Sequence, residues 1–214
     1  MPDLPLFPLQ TVLYPGERLP LHIFEPRYRT MIARCLRDDL AFGLVLSDAE
    51  GHLADVGCTA RLDRILERYP DGRLDLLVRG ETRFRIETLR HEHAYLSADV
   101  AFVHEPAETL QKNLSERAIT QHMRLLELAR RDVRPSLYMT PFVSYVIAHN
   151  AGLTLAQKQE VLELLTENLR LSYLVAHLEA LIPQVEQQED VRRKVQSNGH
   201  FRDFLPRISD DGDA

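Results

Sequence analysis

Arginine is the residue type in this chain that bears most directly on chemistry. Of 26 basic residues only Lys112, Lys158 and Lys194 are lysine. A guanidinium is a planar fork that matches carboxylate or phosphate with two parallel hydrogen bonds. The same excess also follows from a GC-rich coding sequence and from solvated faces. The spacing groups the arginines. Arg27, Arg34 and Arg37 fall on the side of a helix opposite Tyr28, Met31 and Cys35, while Arg79, Arg83 and Arg85 fall on the expected exposed side of neighbouring strands. Such a face pairs with Glu81, Glu87 and Asp75 as a solubilising surface, or it takes up polypeptide carboxylates or RNA phosphates.

Other chemistry finds less support. His91-Glu92-His93 places two imidazoles on one face of a strand, but zinc takes three or four ligands, and no C-x-x-C or H-E-x-x-H supplies the rest. A solvated strand end is the simpler reading, and no metal or other cofactor is expected. Cys35 and Cys58 lie in apolar runs and read as small buried hydrophobes, although their number permits one disulfide. His22, His149 and His177 sit among apolar neighbours as partly buried side chains, and Glu25, Asp38 and Asp39 read as helix-end carboxylates. None of the three lysines follows a glycine, so there is no G-x-x-x-x-G-K-[ST] phosphate loop, and no G-x-S-x-G elbow is present. No catalytic residue is expected.

The elements that carry these residues begin with Leu4–Leu9 and Leu19–Ile23, two apolar runs separated by Pro15-Gly16 turn chemistry. Prolines in such runs suit sheet edges, where a missing N–H costs little. Pro26 fits the first turn of a helix, and Tyr28, Met31, Ile32, Cys35 and Leu36 repeat at the spacing of one buried helical face. Further strands are expected over Ala41–Leu46, around Cys58, from Arg73 to Gly80 after the Pro70-Asp71-Gly72 turn, over Thr82–Glu87, and over Tyr95–Val103. Residues 1–105 therefore predict a small, coiled antiparallel sheet or pseudo-barrel with one helix.

After Pro106 the texture becomes helical. Thr109–Arg131 has apolar residues at helical spacing, Thr140-Pro141 reads as a helix start, and Gly152 as the stop. Thr154 with Gln157 forms a capping-box pattern, and Leu171 to Ile182 is a strong amphipathic stripe. Residues 106–196 predict a bundle of about four helices, and 197–214 a polar tail. The whole is α+β.

The wording of the opening segment is more specific than its pattern. Leu4-Pro5-Leu6-Phe7-Pro8-Leu9, Val12 to Gly16 and Leu19 to Arg29 resemble the start of the amino-terminal substrate-recognition domain of Lon proteases. The resemblance continues in Phe42–Leu46, Gly57–Ala60, Asp71-Gly72-Arg73, Gly80–Ile86 and, more loosely, Leu153–Leu181. The segments carrying the ATPase and the Ser–Lys dyad in that family have no counterpart here. The resemblance implies a standalone, non-catalytic module with a PUA-like β-part that recognises unfolded or extended polypeptides, with a protease or chaperone as a further partner. Tyr14, Phe24, Arg27 and Tyr28, where the proline-rich hairpin meets the first helix, are the candidate peptide-binding residues. Pro183 departs from the family's continuous last helix and predicts a kink or stop.

RNA binding through the PUA-like part is the competing reading. A formal charge of −6 and the absence of interleaved exposed aromatics count against it. Apolar content of 44% and charged content of 27% are those of an ordinary globular chain. No apolar run reaches the roughly 18 residues of a membrane span, and there is no leader-like N-terminus, so a cytoplasmic protein without a membrane partner is expected.

Overall fold

The computed structural model describes residues 3–199, with side chains up to residue 192. In chain order the elements are β1 (Asp3–Leu9), β2 (Arg18–Ile23), α1 (Pro26–Asp38), β3 (Phe42–Leu46), β4 (Val56–Arg68), β5 (Leu74–Arg90) and β6 (Ser97–Phe102). The helical part follows as α2 (Lys112–Leu128), a 3-10 turn at Pro135–Tyr138, α3 (Val143–Asn150), α4 (Leu155–Glu163) and α5 (Glu167–Gly199). The α+β class expected from the sequence is what the chain adopts.

The strands run in the order β2-β5-β4-β3-β1-β6, and β6 pairs again with β5, which closes the sheet into a small barrel at one end. Closure needs one parallel pair, β1 with β3, so the sheet is mixed where the sequence predicts an antiparallel one. Nor do β1 and β2 form a hairpin: β1 pairs with β3 and β6, and β2 with β5. The Pro15-Gly16 turn instead docks on β5. Gly16 N–H donates to the Gly80 carbonyl at 2.8 Å and Gly80 N–H to the Glu17 carbonyl at 2.9 Å. A Cβ at Gly80 would stand 2.2 Å from the Tyr14 carbonyl oxygen, so only glycine permits this approach. The Pro70-Asp71-Gly72 turn does join β4 to β5, with Gly72 at φ +85°.

α1 buries Tyr28, Met31, Ile32 and Cys35 against the barrel, as its periodicity requires. Cys35 and Cys58 are both buried and free, and burial pushes the Cys35 thiol up to about 11 and that of Cys58 higher still.

The helical half has its own core, built on Leu171, Leu174, Val175 and Leu178 of α5, and that core also takes in Val12, Tyr14 and Val56 from the β-part. Thr154 and Gln157 form the expected capping box at α4, and Gly152 takes the left-handed conformation after α3. The start of α3 differs from expectation. It begins at Val143, and its buried first-turn amide at Ser144 donates to the Glu167 carboxylate of α5 at 2.8 Å, so Thr140-Pro141 is not its cap. α5 passes through Pro183 without stopping. Pro183 is exposed, so the carbonyl it frees faces water, and Arg124–Glu186 and Arg130–Glu189 ion pairs hold the helix to the α2 side beyond it. The expected 197–214 tail overlaps the end of α5, and positions 200–214 lie outside the described residues.

Candidate functional site

The barrel is closed by β6 at one end only. β1 uses Asp3–Pro5 to pair with β6 and Leu6–Leu9 to pair with β3, while β2 pairs with β5 alone. The outer flanks of β1 at its last residues and of β2 thus have no strand partner among the described residues. Between them lies a groove of about 360 Å³. Phe7, Pro8 and Leu9 form one wall, Ile23 and Phe24 the other, and Arg27 and Tyr28 of α1 the end. Pro8 and Pro20 reduce the N–H donors these edges offer, so recognition here rests on side chains more than on strand addition.

Three of the four residues expected from the sequence meet in this groove. Phe24 is 58% exposed and lies on the His22 ring, with centroids 5.8 Å apart. Arg27 is exposed, hydrogen-bonds Glu25 at 2.8 Å and holds its guanidinium 4.5 Å from the Tyr28 ring centroid. Tyr28 is a buried floor residue, edge-on to Phe7 at 4.3 Å. Burial raises its hydroxyl above the ordinary tyrosine range. The site can therefore offer an apolar ring, a half-screened cation and a rigid aromatic floor.

Tyr14 is not brought to the groove. It is 1% exposed in the seam between barrel and helices, stacked on Tyr145 at 5.1 Å, and its hydroxyl donates to the Lys158 carbonyl at 3.0 Å. Burial, with the Glu17 charge second, holds its hydroxyl far above the ordinary range. The signal for burial was present in the sequence, since Val12-Leu13-Tyr14 is an unbroken apolar run.

Arg83 departs furthest from expectation. Alternation along β5 places it with Arg79 and Arg85 on a solvated face, yet it is 4% exposed. It donates to the carbonyls of Leu162, Leu164 and Leu165 at 2.9, 2.6 and 3.3 Å, at the C-terminal end of α4. Beside it Arg170 is fully buried, paired with Glu167 at 2.7 Å and with Glu105. Elsewhere on the surface Arg34 bonds Tyr95 at 2.9 Å and Arg37 bonds Asp38, while Asp75 serves His22 and Tyr69.

Among the described residues His91-Glu92-His93 gathers no third ligand; His93 turns to Asp3 at 3.2 Å and stacks on Tyr95. Asp48, Glu50 and His52 come within reach of one cation, but Asp48 already accepts from the Glu50 and His52 amides and from the His52 ring. No helix of the described residues is long and apolar enough to cross a membrane.

Residues 3–180 match the family model of the ATP-dependent protease La (LON) substrate-binding domain. Lon protease of Escherichia coli K12 is 29% identical over 209 residues, covering 90% of this chain and 26% of that protein. Lon protease 2 of Myxococcus xanthus is 29% identical over 177 residues, 75% of this chain and 21% of that protein. The chain thus spans about a quarter of the length of these relatives. A crystal structure of a Lon N-terminal domain protein from Xanthomonas campestris superposes with a TM-score of 0.66 at 26% identity, covering 82% of this chain and 98% of that one. The N-terminal domain of Mycobacterium avium complex Lon protease shares the fold at a TM-score of 0.60 and 20% identity, over 83% of this chain and 98% of that one. With the match running from β1 into α5, the chain belongs to the LON substrate-binding domain family.

Proposed function

We propose that this chain is a non-catalytic polypeptide-binding module, and that unfolded or extended segments of other proteins lie in the gap between β1 and β2. The observation that carries the reading is the pair of unpartnered strand flanks beside an exposed Phe24 and Arg27 over the buried Tyr28 floor. Edge-strand backbone and apolar side chains together are the usual means of holding an extended chain. A protease or a chaperone in the cytoplasm is the partner to which such a module would hand its cargo. Chain ordering offsets much of the contact energy, so a single copy should bind with roughly micromolar or weaker affinity.

Fluorescence anisotropy with labelled peptides from a denatured protein tests this. Phe24→Ala and Arg27→Glu should each weaken binding by about tenfold, the equivalent of ~1.4 kcal/mol, with the fold intact. Absence of peptide binding at high micromolar concentration, together with tight, steeply salt-dependent binding of a short RNA, would replace this reading with RNA recognition.

A further inference from the structure

A second surface lies where the helical part meets the Pro15–Arg18 turn. The Pro15–Arg18 turn and Arg79 face Leu137, Phe142, Val146 and His149 across a cavity of about 390 Å³. A neighbouring cavity of about 490 Å³ shares Leu137, Val146 and Asn150 with it and continues past Leu125 and Leu126 to Arg131 and Arg134. The two adjoin as one trough along α3. Leu137, Met139 and Phe142 beside it are 51%, 87% and 39% exposed, an unusual density of open apolar side chains for one short connector.

The charge around this trough is arranged unevenly. Arg18 of β2, Arg79 of β5 and Arg61 of β4 are cross-strand partners, so three guanidinium groups stand in one row. Arg18 is neutralised by Asp63 at 2.9 Å, and Arg61 by Asp39 at 2.9 Å and Glu81 at 3.2 Å. The Arg79 side chain, between them, has no hydrogen-bond or ion-pair partner among the described residues. At the other end the Arg131 side chain is likewise unpartnered, while Arg134 pairs with Asp132. The acids that line the trough are engaged: Asp132 by Arg134, and Glu17 by His149 at 2.5 Å and by the Tyr14 amide. A chain of net charge −6 thus carries an apolar trough with an uncompensated arginine at each end.

We propose that this trough binds an extended polypeptide segment whose apolar side chains are flanked by aspartate or glutamate, the flanking carboxylates meeting Arg79 and Arg131. The apolar floor takes the central side chains, and the forked guanidinium groups select the flanks. A phosphate backbone suits the site less well, because Glu17 and Asp132 lie on its walls and, among the described residues, Phe142 is its one exposed phenyl ring, the His149 imidazole beside it being held by Glu17. The proposal rests on the polypeptide-binding reading and adds a second, charge-selective surface to it.

The test uses the full chain and short labelled peptides with one apolar centre flanked by Asp, Ser or Lys. The Asp-flanked peptide should bind about fivefold tighter than the Lys-flanked one, the equivalent of ~1 kcal/mol. Arg79→Glu with Arg131→Glu should erase or invert that order. A preference unchanged in the double variant, or no effect of the flanks although the Ser-flanked peptide binds, overturns this proposal alone. Failure of every peptide to bind overturns the polypeptide reading with it. A gain in affinity on removing residues 200–214, where Phe204-Leu205 precede Asp210, Asp211 and Asp213, would make the chain's own terminus the occupant and overturn the proposal for a foreign segment.

Discussion

Arg83 of β5 places its guanidinium 2.6 Å from the carbonyl oxygen of Leu164, at the end of α4. The last carbonyls of a helix have no intrahelical donor, so a cation there meets both the orphan groups and the negative end of the helix dipole. The contact spans 81 residues and joins the barrel to the helices.

Arg83→Met should therefore cost about 3 kcal/mol, since buried carbonyls lose a charged donor and Glu105 loses one of its two arginine partners. With Tyr14 and Gln159 also crossing the seam, near-ultraviolet and far-ultraviolet signals should melt in one coincident transition in the parent chain. Urea titration of parent and variant measures the cost. Two separated transitions in the parent would show that the seam does not couple the halves.

Much of this architecture was legible in the residues. The α1 stripe, the Pro70–Gly72 turn and the Thr154–Gln157 capping box depend on near neighbours, and each is found where the pattern places it. Arg83 was not legible, because alternation reports that a strand has two faces and says nothing of a helical layer that later covers one of them. The α3 cap was missed for a similar reason: Glu167 supplies it from 23 residues away, and no local motif encodes that. Of the candidate site, Phe24, Arg27 and Tyr28 were adjacent in sequence and stayed adjacent in space. Tyr14 joined them only on the assumption of a β1–β2 hairpin, which the docking of Gly16 on Gly80 prevents.

Tyr14→Phe separates core from site. The substitution keeps the ring stack on Tyr145 and removes the hydroxyl that donates to Lys158. Stability should fall by about 1 kcal/mol, the net worth of one hydrogen bond, and peptide affinity should not change. Anisotropy and urea denaturation on the same preparation check both; a loss of affinity at constant stability would put Tyr14 in the binding surface.

His122 gives the fold a defined acid sensitivity. It is 2% exposed, its Nδ1 lies 2.8 Å from the Tyr138 hydroxyl, and burial pushes its imidazole down to about 4 from an ordinary 6.5. Between those values the unfolded chain binds a proton that the folded chain refuses. Stability therefore falls as pH drops from about 6.5 towards 4, by up to ~3 kcal/mol, and is fully present above 6.5. His122→Leu should flatten that window relative to the parent chain. Urea midpoints at intervals from pH 7 to pH 4 provide the measurement, and parallel curves for parent and variant would contradict it.

Arg79→Glu should move stability and binding in opposite directions. Like charges directly opposite on neighbouring strands destabilise a sheet, and Arg79 faces Arg18 on one side and Arg61 on the other. A glutamate there would replace the repulsion with attraction, tempered by Asp63, Asp39 and Glu81, which already pair with Arg18 and Arg61. All three side chains are at least partly open to water, so the gain should be modest, about 0.2–1 kcal/mol in total, and smaller at high salt. An arginine kept for the fold alone would give the reverse result, a loss of stability on replacement. Thermal melts at low and moderate salt decide between them. A higher Tm for Arg79→Glu together with weaker binding of the Asp-flanked peptide would mark Arg79 as a residue held at some cost to the sheet for the sake of a carboxylate; a lower Tm would mark it as structural.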